Sequence, residues 1–158
     1  MSSRTRLSIG LCVIVVAAGL IFAAANKVAP LSWELWGSIN QDDGLALKGY
    51  DAVIYHTKGE AKPGSAAIST AWDGVEWGFA TTENKTLFES SPVAYAPQYG
   101  GFCATAVADD LTADIDPEIW HQTEGRLYLF NNQDAKDSWV AELGQGVINR
   151  GDHNWENR

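Results

Sequence analysis

Phe79-Ala80-Thr81-Thr82-Glu83-Asn84-Lys85-Thr86-Leu87-Phe88, followed by Pro92 and Tyr95, is the stretch whose reading decides the fold. Thr81 or Thr82 is placed to cap a short helix, and Glu83 puts a negative charge in its first turn, where the helix dipole favours one. Leu87 and Phe88 supply the inward face, and Pro92 stops the helix because it has no N–H to extend the ladder. A hairpin precedes it. Asp73-Gly74 is the two-residue turn with positive φ that matches the twist of paired strands. Counting outward sets Trp72 across from Val75, Thr70 across from Trp77 and Ile68 across from Phe79 on one face. The other face carries Ala71 with Glu76 and Ser69 with Gly78. One side is apolar and the other small or polar, as a half-buried antiparallel pair requires.

Upstream, Gln41-Asp42-Asp43-Gly44 is a turn that opens the domain, and Ala52-Val53-Ile54-Tyr55 reads as a buried strand. Residues 58–65, with two glycines and a proline, form a loop. Downstream, Tyr95 to Gly101 is a turn-rich bridge into a strand around Phe102 to Ala108. An acidic loop from Asp109 to Pro117 leads to a second hairpin turning at Glu124-Gly125, with Trp120 opposite Leu129 and His121 opposite Tyr128. Asn131 or Asn132 caps a last helix with Ala135, Trp139, Val140 and Leu143 as its apolar stripe, and Gly144 ends it. The tail, with Gly146, Gly151 and Asn154-Trp155, reads as irregular. The two hairpins hint at an internal repeat, but their residue types match too weakly to build on. The expected class is α+β: a small antiparallel sheet of hairpins with two or three short helices.

The chain has 158 residues, enough for one domain and an export segment. Arg4 and Arg6 precede an apolar run from Leu7 to Ala25 that ends in three alanines. That is the layout of a secretory signal peptide. At about 19 residues the run also suffices for an uncleaved membrane anchor, so residues 1–25 are a signal or an anchor and both readings stay open. Cys12 is not a lipoprotein site, since Leu11 stands where a small residue is required. Residues 26–44 read as a linker or irregular lead-in, and 45–158 as the domain. Trp33 and Trp36, with Leu31 and Leu35, have two options: to pack on the domain, or to sit at a membrane interface if the anchor is kept. The expected location is the periplasm or cell envelope.

Without Arg4 and Arg6, nine Lys and Arg face 20 Asp and Glu, a formal charge of −11. That balance argues against nucleic acid or an anionic membrane as partner. Beyond residue 25 only Cys103 remains, so no intramolecular disulfide staples the fold. The sequence holds no GxGxxG, P-loop, zinc-protease helix or Gly-x-Ser-x-Gly turn.

The stretch from Phe79 to Tyr95 resembles the central signature of the YHS domain, in which a Phe-Cys pair, a Cys-Lys pair, a Phe and a Pro-x-x-Tyr follow one another. Ala80 and Asn84 stand where the two thiols would be, and Ile54, after Asp51-Ala52-Val53, stands where a third would be. The chain is more similar still to exported bacterial members of that family. The likeness lies in Lys48-Gly49-Tyr50-Asp51, Tyr95 to Ala104, Gly125 to Leu129, and Asn154-Trp155, over roughly residues 46–155. The resemblance implies a zinc-ribbon-like or treble-clef-related core and a link to metal handling, copper especially. Three missing thiolates exclude a multi-cysteine zinc site, and aromatic side chains are expected to hold the core instead.

The residues left for chemistry are few. Cys103, after Gly100-Gly101, is a candidate soft-metal ligand or redox thiol, or else a small buried core residue. His121, beside Tyr128, is the most site-like histidine and a candidate second metal ligand; His56 and His153 read as surface or satisfied residues. Tyr50, Asp51 and Tyr99 flank glycine turns and are candidate pocket residues, with the alternative that Asp51 caps backbone N–H groups and the tyrosines pack. Asp109, Asp110, Asp114 and Asp116 lack calcium-loop spacing and read as a solvated loop. The expected function is a non-enzymatic, exported module that binds a transition metal (copper or zinc) or a small ligand near Cys103. The alternatives are a single-cysteine redox enzyme or sensor, and a metal-free interaction scaffold of the envelope.

Overall fold

The computed structural model of the chain describes residues 15–158. The first part of the apolar run, with Cys12, lies outside the described residues. Residues 15–25 form helix α1 with its apolar side chains turned outward. No helix among the described residues is long and apolar enough to cross a membrane.

The elements that follow alternate short strands and short helices. They are β1 (Ala29–Pro30), β2 (Gln41–Asp42), β3 (Leu45–Ala46), α2 (Ala52–Lys58), β4 (Ser65–Trp72), β5 (Val75–Phe79), α3 (Thr82–Ser90) and α4 (Pro92–Tyr95). Then come α5 (Ala104–Ala108), β6 (Leu111–Thr112), β7 (Asp116–Thr123), β8 (Arg126–Phe130), α6 (Gln133–Ala141) and α7 (Val147–Glu156). The α+β class therefore holds, with more helix than expected. The strands form three small sheets, β2-β3-β5-β4, β7-β8 and β1-β6, and the β3–β5 pair is parallel, so the largest sheet is mixed.

Several local expectations meet their structure directly. Thr81 Oγ1 accepts the Asn84 N–H at 3.1 Å, and Asn132 Oδ1 accepts the Ala135 N–H at 2.8 Å, so both helices start at their capping residues. Both hairpin turns fall at Asp73-Gly74 and Glu124-Gly125, and His121 pairs with Tyr128.

Four expectations are corrected. Residues 52–55 are not a strand but the first turn of α2, capped by Asp51 and closed by left-handed Gly59. A short apolar run buried on all sides looks the same in either state, and here the caps decide it. Residues 104–108 are helix as well, although Cys103 before them makes no side-chain capping bond. Phe79 pairs with Ser65 rather than Ile68, because a bulge interrupts β4 between Ser65 and Ser69. The tail is not irregular: 147–156 is helical, and its Gly151 is there for packing, since a Cβ would collide with the Tyr99 hydroxyl. Residues 26–44 are also tied into the fold more closely than a linker. Leu31 is buried, Ala29 pairs with Thr112, and Lys27 Nζ donates to Asn40 Oδ1 at 2.6 Å.

The hinted repeat is present in three dimensions. The pairings Ser65–Phe79, Ser69–Gly78 and Trp72–Val75 recur as Asp116–Phe130, Trp120–Leu129 and Thr123–Arg126, bulge included. Each hairpin feeds a nine-residue helix, α3 or α6. The core aromatics correspond as well: Phe88 packs on Trp77 and Phe79 in one half, Trp139 on Tyr128 and Phe130 in the other. Each half also opens with a run of three left-handed residues, Leu47-Lys48-Gly49 and Tyr99-Gly100-Gly101, leading into α2 and α5. The two halves share one continuous core.

Candidate functional site

Two places collect the residues singled out from the sequence. The first is the interior around Asp51 and Cys103. Asp51 is fully buried, and its carboxylate is fully used. Oδ1 accepts the Val53 N–H at 2.9 Å, while Oδ2 accepts the Ala80 N–H at 2.8 Å and the Asn84 amide at 2.7 Å. Ala80 and Asn84, where the sequence likeness leads one to expect thiols, thus both donate to the Asp51 carboxylate. Tyr50, next to it, reaches outward and donates to Glu118 at 3.3 Å.

Cys103 is 1% exposed. Its N–H donates to Ala113 at 3.0 Å, and its Sγ lies 3.8 Å from Asn131 Oδ1, a weak S–H contact. Cys103 flanks Leu129 on one edge of β8, whereas His121 pairs with Tyr128 on the other edge and sets its ring against Trp139. Burial and the nearby Lys136 charge lower the His121 pKa. Among the described residues no group of three or more His, Cys, Asp or Glu is arranged to hold a metal ion. His56 also sits partly inside, with Nδ1 accepting from Gln122 at 2.7 Å and its pKa lowered by burial.

The second place is an open groove of about 340 Å³ against the Gln98–Gly101 turn. Tyr99, Gly100 and Gly101 all have positive φ. A Cβ on Gly100 would collide with the Ser38 carbonyl, so glycine is required there. Tyr99 carries a full side chain in the same left-handed region, at a cost of about 1 kcal/mol. Its hydroxyl is held near Asp152 Oδ1 (3.0 Å) and the Ile148 carbonyl (3.3 Å) on α7. Burial, with the Asp152 charge, pushes the Tyr99 pKa far above its ordinary value.

Arg126, at the start of β8, donates to both Asp152 oxygens at 3.0 and 2.6 Å and to Gln98 Oε1 at 2.8 Å. That fork pins the turn, the second hairpin and α7 to one another. The bond to Asp152 raises the Arg126 pKa further. Trp72, Tyr99 and Trp155 supply the aromatic walls, and the Arg158 guanidinium stacks on the Trp155 ring at 3.6 Å. Two other carboxylates in the lining, Asp73 and Glu156, make no ion pair among the described residues. Asn154 completes the assembly by donating to the Val107 and Ala108 carbonyls at 3.0 and 3.1 Å, docking α7 on the end of α5.

The structure thus brings Tyr99 into a groove, leaves Asp51 and Cys103 in the interior, and separates His121 from Cys103. Arg126, Asp152 and Trp155 are the groove residues that sequence reading missed as a site. A helical spacing of Val147, Gly151, Asn154 and Trp155 was the available signal, hidden by the glycines around it. The chain matches no family model, no curated protein and no solved structure.

Proposed function

We propose that the protein is an exported, non-enzymatic binding module whose ligand site is the groove at Tyr99, and that the ligand carries a positively charged organic group. The observation that carries this reading is the charge pattern of the lining. Both arginines are occupied, Arg126 by Asp152 and Arg158 by the Trp155 face and, at 3.7 Å, Glu34, whereas Asp73 and Glu156 are without an ion pair among the described residues, in a groove lined by the half-buried Trp72 and Trp155 rings. Aromatic faces and free carboxylates together favour an ammonium or guanidinium group over an anion. The stack of Arg158 on Trp155 is an internal instance of the same contact. The likeness to exported YHS-domain proteins supports a binding role, because three of the segments that carry it, 95–104, 125–129 and 154–155, contribute residues to this groove.

Metal binding at Cys103 and His121 is less well supported, since the thiol is enclosed and the two residues flank different edges of β8. Titration with agmatine, choline and acetate, followed by tryptophan emission, tests the proposal. Saturable changes with the two cations, weakened at least about threefold in Glu156→Gln and Asp73→Asn, are expected. A response to acetate alone, or none to any of the three, removes the reading.

A further inference from the structure

The exposed large apolar side chains are not scattered over the surface. Among the described residues, Val15, Val16, Leu20, Ile21 and Phe22 on α1 are each more than 60% exposed. Trp33 is 63% and Leu35 59% exposed in the turn that follows, and Leu111 is 38% exposed. Leu111 pairs with Pro30 across β1 and β6, next to the lead-in. Only Leu87 and Val93 complete the set of such residues, both elsewhere. Exposed apolar side chains gathered along the start of the chain in this way point to an interaction site rather than ordinary exposure. Of the four Leu and Trp residues in the lead-in, Leu31 and Trp36 face the core while Trp33 and Leu35 face out.

The lead-in also has no slack. The Val28 N–H closes the end of α1 on Ala23 O at 2.8 Å, and the Asp114 N–H donates to Asn26 O at 2.7 Å. Thr112 Oγ1 donates to Lys27 O at 2.7 Å. The fold therefore begins within a residue or two of the apolar run. The bordering charges are acidic: Glu34, and Asp109 and Asp110 directly before Leu111, are exposed. Lys27 is committed to Asn40, Gln41 and Asp114, and Arg158, which reaches Glu34 at 3.7 Å, is stacked on Trp155.

We propose that this surface is seated on a lipid bilayer. The run from Leu7 to Ala25 enters the membrane, and Trp33, Leu35 and Leu111 lie in its interfacial layer, so that the domain rests on the lipid without a spacer. Sequence continuity with an apolar run of spanning length selects a bilayer as the occupant, and the acidic border makes the contact apolar rather than electrostatic. α1 as described reaches about 16 Å, roughly half of a hydrocarbon core.

The test uses the full chain in phosphatidylcholine vesicles whose acyl chains carry bromine, which quenches nearby indoles. Quenching of part of the emission is expected, with the quenched part at least halved in Trp33→Phe and enlarged in Leu35→Trp. Both positions are exposed, and near-ultraviolet circular dichroism checks that both variants are folded. The quenching is expected to persist in about 1 M salt, where charge contacts are screened within about 3 Å. Equal quenching of wild type and Trp33→Phe overturns the proposal, as does quenching abolished by salt. Emission shielded from bromine together with concentration-dependent dimerisation also overturns it, by assigning the surface to a second copy of the chain.

Discussion

Asp51 and Cys103 occupy the same seat in the two halves of the fold. Each follows a run of three left-handed residues and stands directly before a short helix, α2 or α5. Each donates its N–H to the matching loop, Asp51 to Lys62 O at 2.9 Å and Cys103 to Ala113 O at 3.0 Å. Their side chains point at matching positions too, since Ala80, the partner of Asp51, corresponds to Asn131, the contact of Cys103. One seat is filled by a carboxylate with three strong bonds and the other by a thiol with one weak contact. The first half is held by its polar seat, and the second by hydrocarbon around it.

That difference predicts unequal costs of substitution. Asp51→Ala leaves the Val53 and Ala80 N–H groups and the Asn84 amide without their acceptor. A loss of about 3 kcal/mol or more is expected from urea unfolding. Cys103→Ala removes one small apolar group and should cost about 1–2 kcal/mol. Equal losses would show that the two seats are not energetically distinct.

Enclosure of Cys103 predicts slow chemistry at its sulfur. In protein lacking Cys12 through a Cys12→Ser change, the thiol should react with an aromatic disulfide reagent at least about 100-fold more slowly when folded than in urea. The reagent reaches the sulfur only through opening of the fold. Rapid reaction in native buffer would restore a redox or ligand role to Cys103.

The contact between Gly151 and Tyr99 predicts coupling between α7 and the Gln98–Gly101 turn. A Cβ at position 151 would meet the Tyr99 hydroxyl and ring, so Gly151→Ala should lose about 1–3 kcal/mol despite the better helix propensity of alanine. Tyr99→Phe removes the first atom in the way. The double variant should therefore be less destabilised than the sum of the two single changes, and a urea-unfolding double-mutant cycle reads that coupling. Simple additivity would mean that α7 adjusts freely against the turn.

Asp114 predicts the acid limit of stability. Burial alone would raise its pKa. Bonds from Lys48 and Asn40 and the Ile115 N–H, with the Lys27 charge, outweigh burial and leave the pKa below the ordinary value. A folded pKa below the unfolded one gives stability that is complete above about pH 4 and is lost as pH falls through the folded value. Asp114→Asn should cost about 2 kcal/mol at neutral pH and flatten the stability profile below pH 4, as followed by thermal melts across pH. An unchanged profile would assign the acid limit to other carboxylates.

The hairpins and the helix that follows each were legible in the sequence because their signals are local. Asp73-Gly74 and Glu124-Gly125 dictate their turns, and Thr81 and Asn132 their helix starts, through bonds made within three residues. The misread segments are those whose apolar pattern fits strand and helix alike. Ala52 to Tyr55 is apolar on every side in either state, and only the Asp51 cap together with the Gly59 end makes it helix. The repeat is visible in pairing and φ angles yet faint in residue types, because backbone geometry tolerates the exchange of Trp77 for Tyr128 or Phe88 for Trp139.

Composition and local pattern alone determined an acidic α+β chain with an N-terminal apolar run, two hairpins and capped helices, since each of those follows from neighbours in the sequence. Only the tertiary structure decided which polar residues are enclosed and which face water. It buried Asp51 and Cys103, drew Tyr99, Arg126, Asp152 and Trp155 together from three separate segments, and turned Trp33 outward while Leu31 went in. The physical reason is that burial and ion pairing depend on distances through space, which chain spacing does not encode.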